Sequence, residues 1–206
     1  MRRTALVVVA VALGGCVFRA ADPPRYYRPE SAGLSGAAAP ETAPATMIRL
    51  RAVRARPFLR ERIVWRTGSE YGMYEQRRWS ELPEAYAERA LESALRREGN
   101  IGLTDDDTRV PALYAEVVAF DEVLAPQHVA NVAIGVSLAD ANGHRILERT
   151  FSVDAPVADE NPRTLAHAIG TALDDVTAQV ARAVSTSLTA ATPRSPAHKR
   201  RAGTRG

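Results

Sequence analysis

Cysteine is almost missing from this chain: Cys16 is the only one among 206 residues. The stretch beyond it can hold no disulfide and offers no thiol for nucleophilic or redox chemistry. Aromatic residues are few, at 6%. Acidic residues are absent from both ends, where Arg2 and Arg3 stand at one and Arg194, Lys199, Arg200, Arg201 and Arg205 at the other. Those seven leave 20 of the 27 basic residues against all 24 acidic ones in residues 17–193, so that part is mildly acidic. A pI near 9.3 therefore reflects the ends, and the basic stripe that nucleic-acid binding needs is lacking. No apolar run approaches the roughly 20 residues of a transmembrane helix. The chain has no Gly-x-Ser-x-Gly, no Ser-x-x-Lys and no phosphate loop. His128, His144, His167 and His198 are scattered without metal spacing. Asp105-Asp106-Asp107 lacks the alternation and the glycine of a calcium loop. Asp174-Asp175 reads as the outer face of a helix. No catalytic residue, metal ligand or cofactor site emerges.

What the chain does have stands first at its start. Met1-Arg2-Arg3 precedes an apolar run, residues 5–13, and then Leu13-Gly14-Gly15-Cys16. A charged start, an apolar stretch of roughly 7–15 residues and small residues before the cut make a secretory signal peptide. With the cysteine behind the small pair, the arrangement resembles the lipobox of bacterial lipoproteins. The resemblance implies that Cys16 is acylated and becomes the new N-terminus. Processing normally adds three acyl chains. At about 0.8 kcal/mol per buried methylene, these make a lasting tether rather than a span. Val17, where an aspartate resembles an inner-membrane retention signal, points to the outer membrane and its periplasmic face.

The reading divides the chain into a signal peptide (1–15), a lipidated Cys16 with a flexible Ala/Pro-rich linker (16–46), one domain (47–188) and a disordered basic tail (189–206). The linker would reach about 30 Å as a coil and about 100 Å at full stretch. In the domain, Ile48, Leu50 and Ala52 alternate as a strand. Arg62–Thr67 and residues 70–76 form a hairpin about Gly68-Ser69. Pro83 opens a helix with Tyr86, Ala87, Ala90, Leu91, Ala94 and Leu95 on one stripe. Residues 111–124, with Leu113, Ala115, Val117 and Ala119 on one side, precede a strand over Val129–Ala139. The turn at Asp140 to Gly143, where Asn-Gly favours positive φ, leads into residues 144–153. Asn161-Pro162 opens a last helix carrying Leu165, Ile169, Leu173, Val176, Val180, Val184 and Leu188 on one stripe. Strands, helix, strands, helix predict an α+β fold: a largely antiparallel sheet of about six strands with two helices on one face.

Two clusters carry surface chemistry. Arg49, Arg51, Arg54, Arg56, Arg60, Arg62 and Arg66 read either as a solvated strand edge or as a contact for an acidic partner or lipid headgroups. Trp65, Tyr71, Tyr74, Arg78 and Trp79 read either as core or as a protein-contact site. At this second cluster the chain resembles the ABC-type transport auxiliary lipoprotein family, which accompanies mammalian-cell-entry (MCE) type lipid transporters, including the paraquat-inducible system. The resemblance rests on the sequential order of the lipobox, Tyr26-Tyr27, Trp65-Arg66, Tyr71, Tyr74, Arg78-Trp79, Pro83, Phe120, the turn at Asp140, Phe151, and Ala168 and Leu173 in the last helix. It covers residues 47–188 plus the lipobox. It implies a non-enzymatic subunit at the outer membrane that docks the periplasm-spanning MCE-domain protein, and it leaves self-association open. Tyr71, Tyr74, Arg78 and Trp79 are then the residues expected to form or support the docking surface, Trp79 being the one most suited to core. A structural or assembly lipoprotein that binds an outer-membrane barrel or the cell wall is the competing reading. A hydrolase lacks its nucleophile and base.

The lipobox generates a direct test. Cys16→Ser is expected to move the protein from the membrane fraction to the soluble periplasm, with loss of the acyl mass on its N-terminal peptide. Unchanged membrane fractionation with no acyl group detected would contradict the assignment.

Overall fold

In a computed structural model, residues 22–35, 43–106 and 109–191 are described. The signal segment, Cys16 and the tail from residue 192 lie outside them. In chain order the strands are β1 (Arg25–Tyr27), β2 (Thr46–Leu50), β3 (Arg54–Ala55), β4 (Arg62–Thr67), β5 (Glu70–Trp79), β6 (Ile101–Leu103), β7 (Ala112–Ala125), β8 (Val129–Ala139) and β9 (Arg145–Pro156). Helix α1 (Pro83–Arg97) follows β5, and α2 (Pro162–Ala191) follows β9. The fold is α+β, and the nine strands among the described residues make one mixed sheet.

The long pairings are antiparallel: β7 with β8, β8 with β9, and β4 with β5. The short ones are parallel. β2, β3 and β4 follow one another along the second edge of β7. β6 adds to β2 and β1 to β5. Three strands, β1, β3 and β6, exceed the six expected. At two or three residues each they are too short for a period-2 signal to register.

Both helices pack against each other and against the sheet, so they share one face. Val132, Ile134, Val136 and Leu138 of β8 meet the stripe of α2, where Ile169, Leu173, Val176, Val180 and Val184 are buried. Leu113, Ala115 and Val117 face the same core. A register shift between Val117 and Ala119 then changes the parity of β7. Such a bulge inserts one residue and re-aims those beyond it. Phe120, not Ala119, enters the core, edge-on to Trp79 at 5.3 Å and stacked on Tyr86 at 6.3 Å.

Local chemistry sets the ends of the elements. Pro83 begins α1, and Arg96 and Arg97 sit in its last turn, where cations oppose the helix dipole favourably. Asn161 caps α2 by accepting the Arg163 amide at 3.0 Å. In the β8–β9 turn only Gly143 takes positive φ. Asn142 does not; the Asp140 carboxylate holds the turn instead, accepting the amides of Asn142 and His144 at 2.8 and 2.9 Å.

The linker boundary needs correction. Residues 25–35, expected to be flexible, are part of the domain. Arg25–Tyr27 pairs with Arg77–Trp79. The Asp174 carboxylate accepts bonds from Ser31 Oγ (2.7 Å), the Ala32 amide (2.8 Å) and the Gly33 amide (3.0 Å). Asp174 is thus a clip on the N-terminal segment rather than idle helix surface. Glu30 crosses α2 at Gly170, where a Cβ would stand 2.1 Å from the Glu30 carbonyl oxygen. Alanine is the better helix former by about 1 kcal/mol. Gly170→Ala is nevertheless expected to lower the melting temperature and to raise hydrogen exchange at Ala32 and Gly33. A more stable variant with unchanged exchange would show that the crossing is not close.

Candidate functional site

The hairpin β4–β5 has two faces with different chemistry. Cross-strand register puts Val64 beside Met73 and Arg66 beside Tyr71. On the other side of β4, Val64 lies beside Asp121 and Arg66 beside Val123. These residues share the face turned away from the helices. Trp65, Gly72 and Glu122 share the face with Phe120.

On the helix-free face, Tyr71 is 57% and Met73 41% exposed. Phe58, from the segment between β3 and β4, meets Tyr71 edge-on at 5.8 Å. Arg56, Phe58, Val64, Tyr71 and Met73 enclose an open cleft of about 370 Å3. Beneath it Arg66 Nε donates to Asp121 Oδ2 at 2.5 Å. Asp121 is 1% exposed. Burial, the larger influence, raises its carboxyl above the usual aspartate value, and the Arg66 bond draws it partly back.

On the helix side, Tyr74 donates its hydroxyl to Glu122 Oε2 at 2.7 Å, and His128 Nε2 lies 2.7 Å from Glu122 Oε1. Burial first and the Glu122 bond second hold the tyrosine hydroxyl above its ordinary value. It therefore stays a donor across the physiological range. The Arg77 guanidinium lies over the Tyr74 ring, 4.3 Å from its centre. This Tyr–Glu–His group was not visible in the sequence, because Tyr74 and Glu122 are 48 residues apart.

The four residues expected at one surface are therefore separated. Tyr71 lies on the helix-free face and Tyr74 on the other. Arg78 Nη1 bonds Glu61 at 3.2 Å. Trp79, 1% exposed, is core and makes no surface. The arginine cluster also disperses. Arg49 is buried and donates to the Asp106 carbonyl, and Arg66 is taken by Asp121. Arg49 in β2 and Arg62 and Arg66 in β4 lie on strands that run between neighbours on both sides. Edge protection cannot explain these arginines. Arg51 and Arg54 line a wide groove with Tyr114 and Arg149. Among the described residues, no group of three or more His, Cys, Asp or Glu could hold a metal ion, and no helix is long and apolar enough to cross a membrane.

The described residues thus form an α+β domain with an open cleft of aromatic, methionine and arginine side chains on its helix-free face. The ABC-type transport auxiliary lipoprotein component family matches residues 31–181, and the chain belongs to it. Its fold is similar to that of protein XCC0632 from Xanthomonas campestris, a DUF330 protein, with TM-score 0.68 and 18% identity, over 81% of this chain and 98% of that one. It is also similar to the hypothetical protein CT253 from Chlamydia trachomatis, with TM-score 0.52 and 9% identity, over 72% and 99% of the two chains. No protein of curated function matches.

Asp121 yields a test with a definite sign. Its raised folded-state value means the folded protein binds the proton more tightly than the unfolded chain does. The burial penalty is then full above the folded value and relieved as pH falls through it. Asp121→Asn keeps an acceptor for Arg66 without the buried charge. It should cost less than Asp121→Ala, for which about 1–3 kcal/mol is expected. The parent should gain on Asp121→Asn as the solution is made mildly acidic. Thermal unfolding at neutral and acid pH measures both, and parallel pH slopes would contradict the account.

Proposed function

We propose that this lipoprotein is a non-enzymatic auxiliary subunit of an ABC/MCE-type lipid transport system. It is anchored through Cys16 to the periplasmic face of the outer membrane and docks the periplasm-spanning MCE-domain protein. Family membership supports the transport role, and Val17 supports the outer membrane over the inner one. The observation that carries the docking surface is the cleft on the helix-free face. There Tyr71 and Met73 stand exposed around Phe58, with Arg56 at the rim. Exposed apolar area beside aromatic and arginine side chains is the composition of interface centres. Of the residues expected at this surface, Tyr71 stands in the cleft, Trp79 is packed in the core against Phe120 and takes no part in it, and Tyr74 and Arg78 are held by Glu122 and Glu61.

Tyr71 and Met73 can be cut back without touching the core. Each truncation at an interface centre costs roughly 2 kcal/mol or more in binding. The Tyr71→Ala, Met73→Ala double variant should keep its melting curve and lose capture of the MCE-domain protein by tenfold or more. Full capture by the folded double variant would remove this cleft from the docking surface. Failure of the parent itself to co-purify with the MCE-domain protein would overturn the partner.

A further inference from the structure

We propose that the groove beside β1 is a membrane-docking surface, seated on the anionic phospholipid headgroups of the leaflet that holds the anchor. It rests on the reading that Cys16 is acylated. Its first support is chain length. The folded part begins at Arg25, which is paired to β5, and the Asp174 clip holds the chain again at Ser31, Ala32 and Gly33. Only eight residues, 17–24, separate Cys16 from Arg25, and Pro23-Pro24 are among them. Such a segment spans about 16 Å as a coil and about 30 Å at most. The β1 end of the domain is therefore the end kept at the bilayer.

The second support is what stands there. Arg25 and Arg77 are opposite one another in the β1–β5 register. Arg163, from the first turn of α2, faces them across the groove, with Glu75 the one acid in its lining. None of the three arginines forms an ion pair among the described residues. Tyr26, between Arg25 and Tyr27 at the rim of the groove, is 60% exposed. Guanidinium groups fork onto phosphate oxygens, and tyrosine settles at the boundary between headgroups and acyl chains. Arg77 lies against the Tyr74 ring, and Glu122 fixes that ring through its hydroxyl. The Tyr–Glu–His group, anchored by the buried Glu122, thus positions a phosphate-binding side chain. Because the tether raises the local concentration of headgroups, weak contacts suffice to seat the domain.

In the acylated protein Cys16 is blocked, so Tyr26→Cys supplies one free thiol for a spin label. The labelled full chain is placed in vesicles of phosphatidylethanolamine and phosphatidylglycerol, in phosphatidylcholine vesicles and in detergent. Power saturation then compares access of a water-soluble nickel chelate with access of oxygen. The label should lose chelate access several-fold in the anionic vesicles, less in phosphatidylcholine, and not in detergent. A label at Tyr114→Cys, on the helix-free face, should be unaffected. Arg25→Glu with Arg163→Glu in the labelled chain should restore access. A label at position 26 as open in anionic vesicles as in detergent overturns the proposal, as does shielding that appears only on adding a partner protein, which would make the groove a protein contact. Vesicle flotation and the mass of the Cys16 peptide report the anchor separately. A chain that is acylated and floats with an open groove refutes the groove alone; a chain without acyl groups refutes both.

Discussion

The second edge of β7 is the constraint on which the rest of the structure depends. One edge of this 14-residue strand is filled by β8. The other presents as many amides and carbonyls, and buried backbone groups must find partners. Three strands of five, two and six residues share that edge. None would persist alone, since even an isolated hairpin is marginal in water. The edge holds them, and the segments between them are then fixed in place. One of these segments brings Phe58 over Tyr71. The cleft on the helix-free face is a consequence of how β7 is paired.

The bulge in β7 decides what lies on each side. Beyond it Phe120 and Glu122 face the helices and Asp121 faces away. Two neighbouring buried carboxylates thereby act on opposite faces of one hairpin. Asp121 holds β4 through Arg66, while Glu122 holds β5 through Tyr74. A buried charge is costly unless it is paired and hydrogen-bonded. Any other register would strand at least one of these carboxylates. Their contribution is accordingly to register more than to net stability. That matters here because β5 is four residues longer than β4 and its pairing breaks between Arg62 and Val64.

Periodicity exposed the long elements: β8 by alternation, α1 and α2 by their stripes, and with them the α+β class. It failed where order comes from distance. Residues 25–35 have the composition of a linker. Their order rests on Trp79 and its neighbours in β5 and on Asp174, which is 143 residues from Ser31. No local pattern reports such a bond. Val118 shows a different failure. Strict alternation through residues 111–124 predicts Ala119 in the core, and one inserted residue overrides it without any glycine or proline to announce the bulge. The site residues divide along the same line. Tyr71 is legible as an exposed aromatic of a hairpin. Tyr74, Arg78 and Trp79 look alike in sequence and differ only through Glu122, Glu61 and Phe120.

The ordered N-terminal segment also couples two surfaces that composition treats as independent. A 30-residue coil would let the domain turn freely and present any side to either membrane. On the proposed anchoring, a lipid on Cys16 joined to a chain already fixed at Arg25 would leave far less freedom, because the exit point is built into the sheet edge and the clip on α2. The groove of Arg25 and Arg77 then lies toward the anchor, on the side of the sheet where Tyr74 meets Glu122. Tyr71 and Met73 look out from the opposite face. Whatever meets Tyr71 therefore approaches a surface that the tether does not draw onto the bilayer. The clip that orders residues 31–33 acts at a remove from both surfaces, by fixing where the chain leaves the fold.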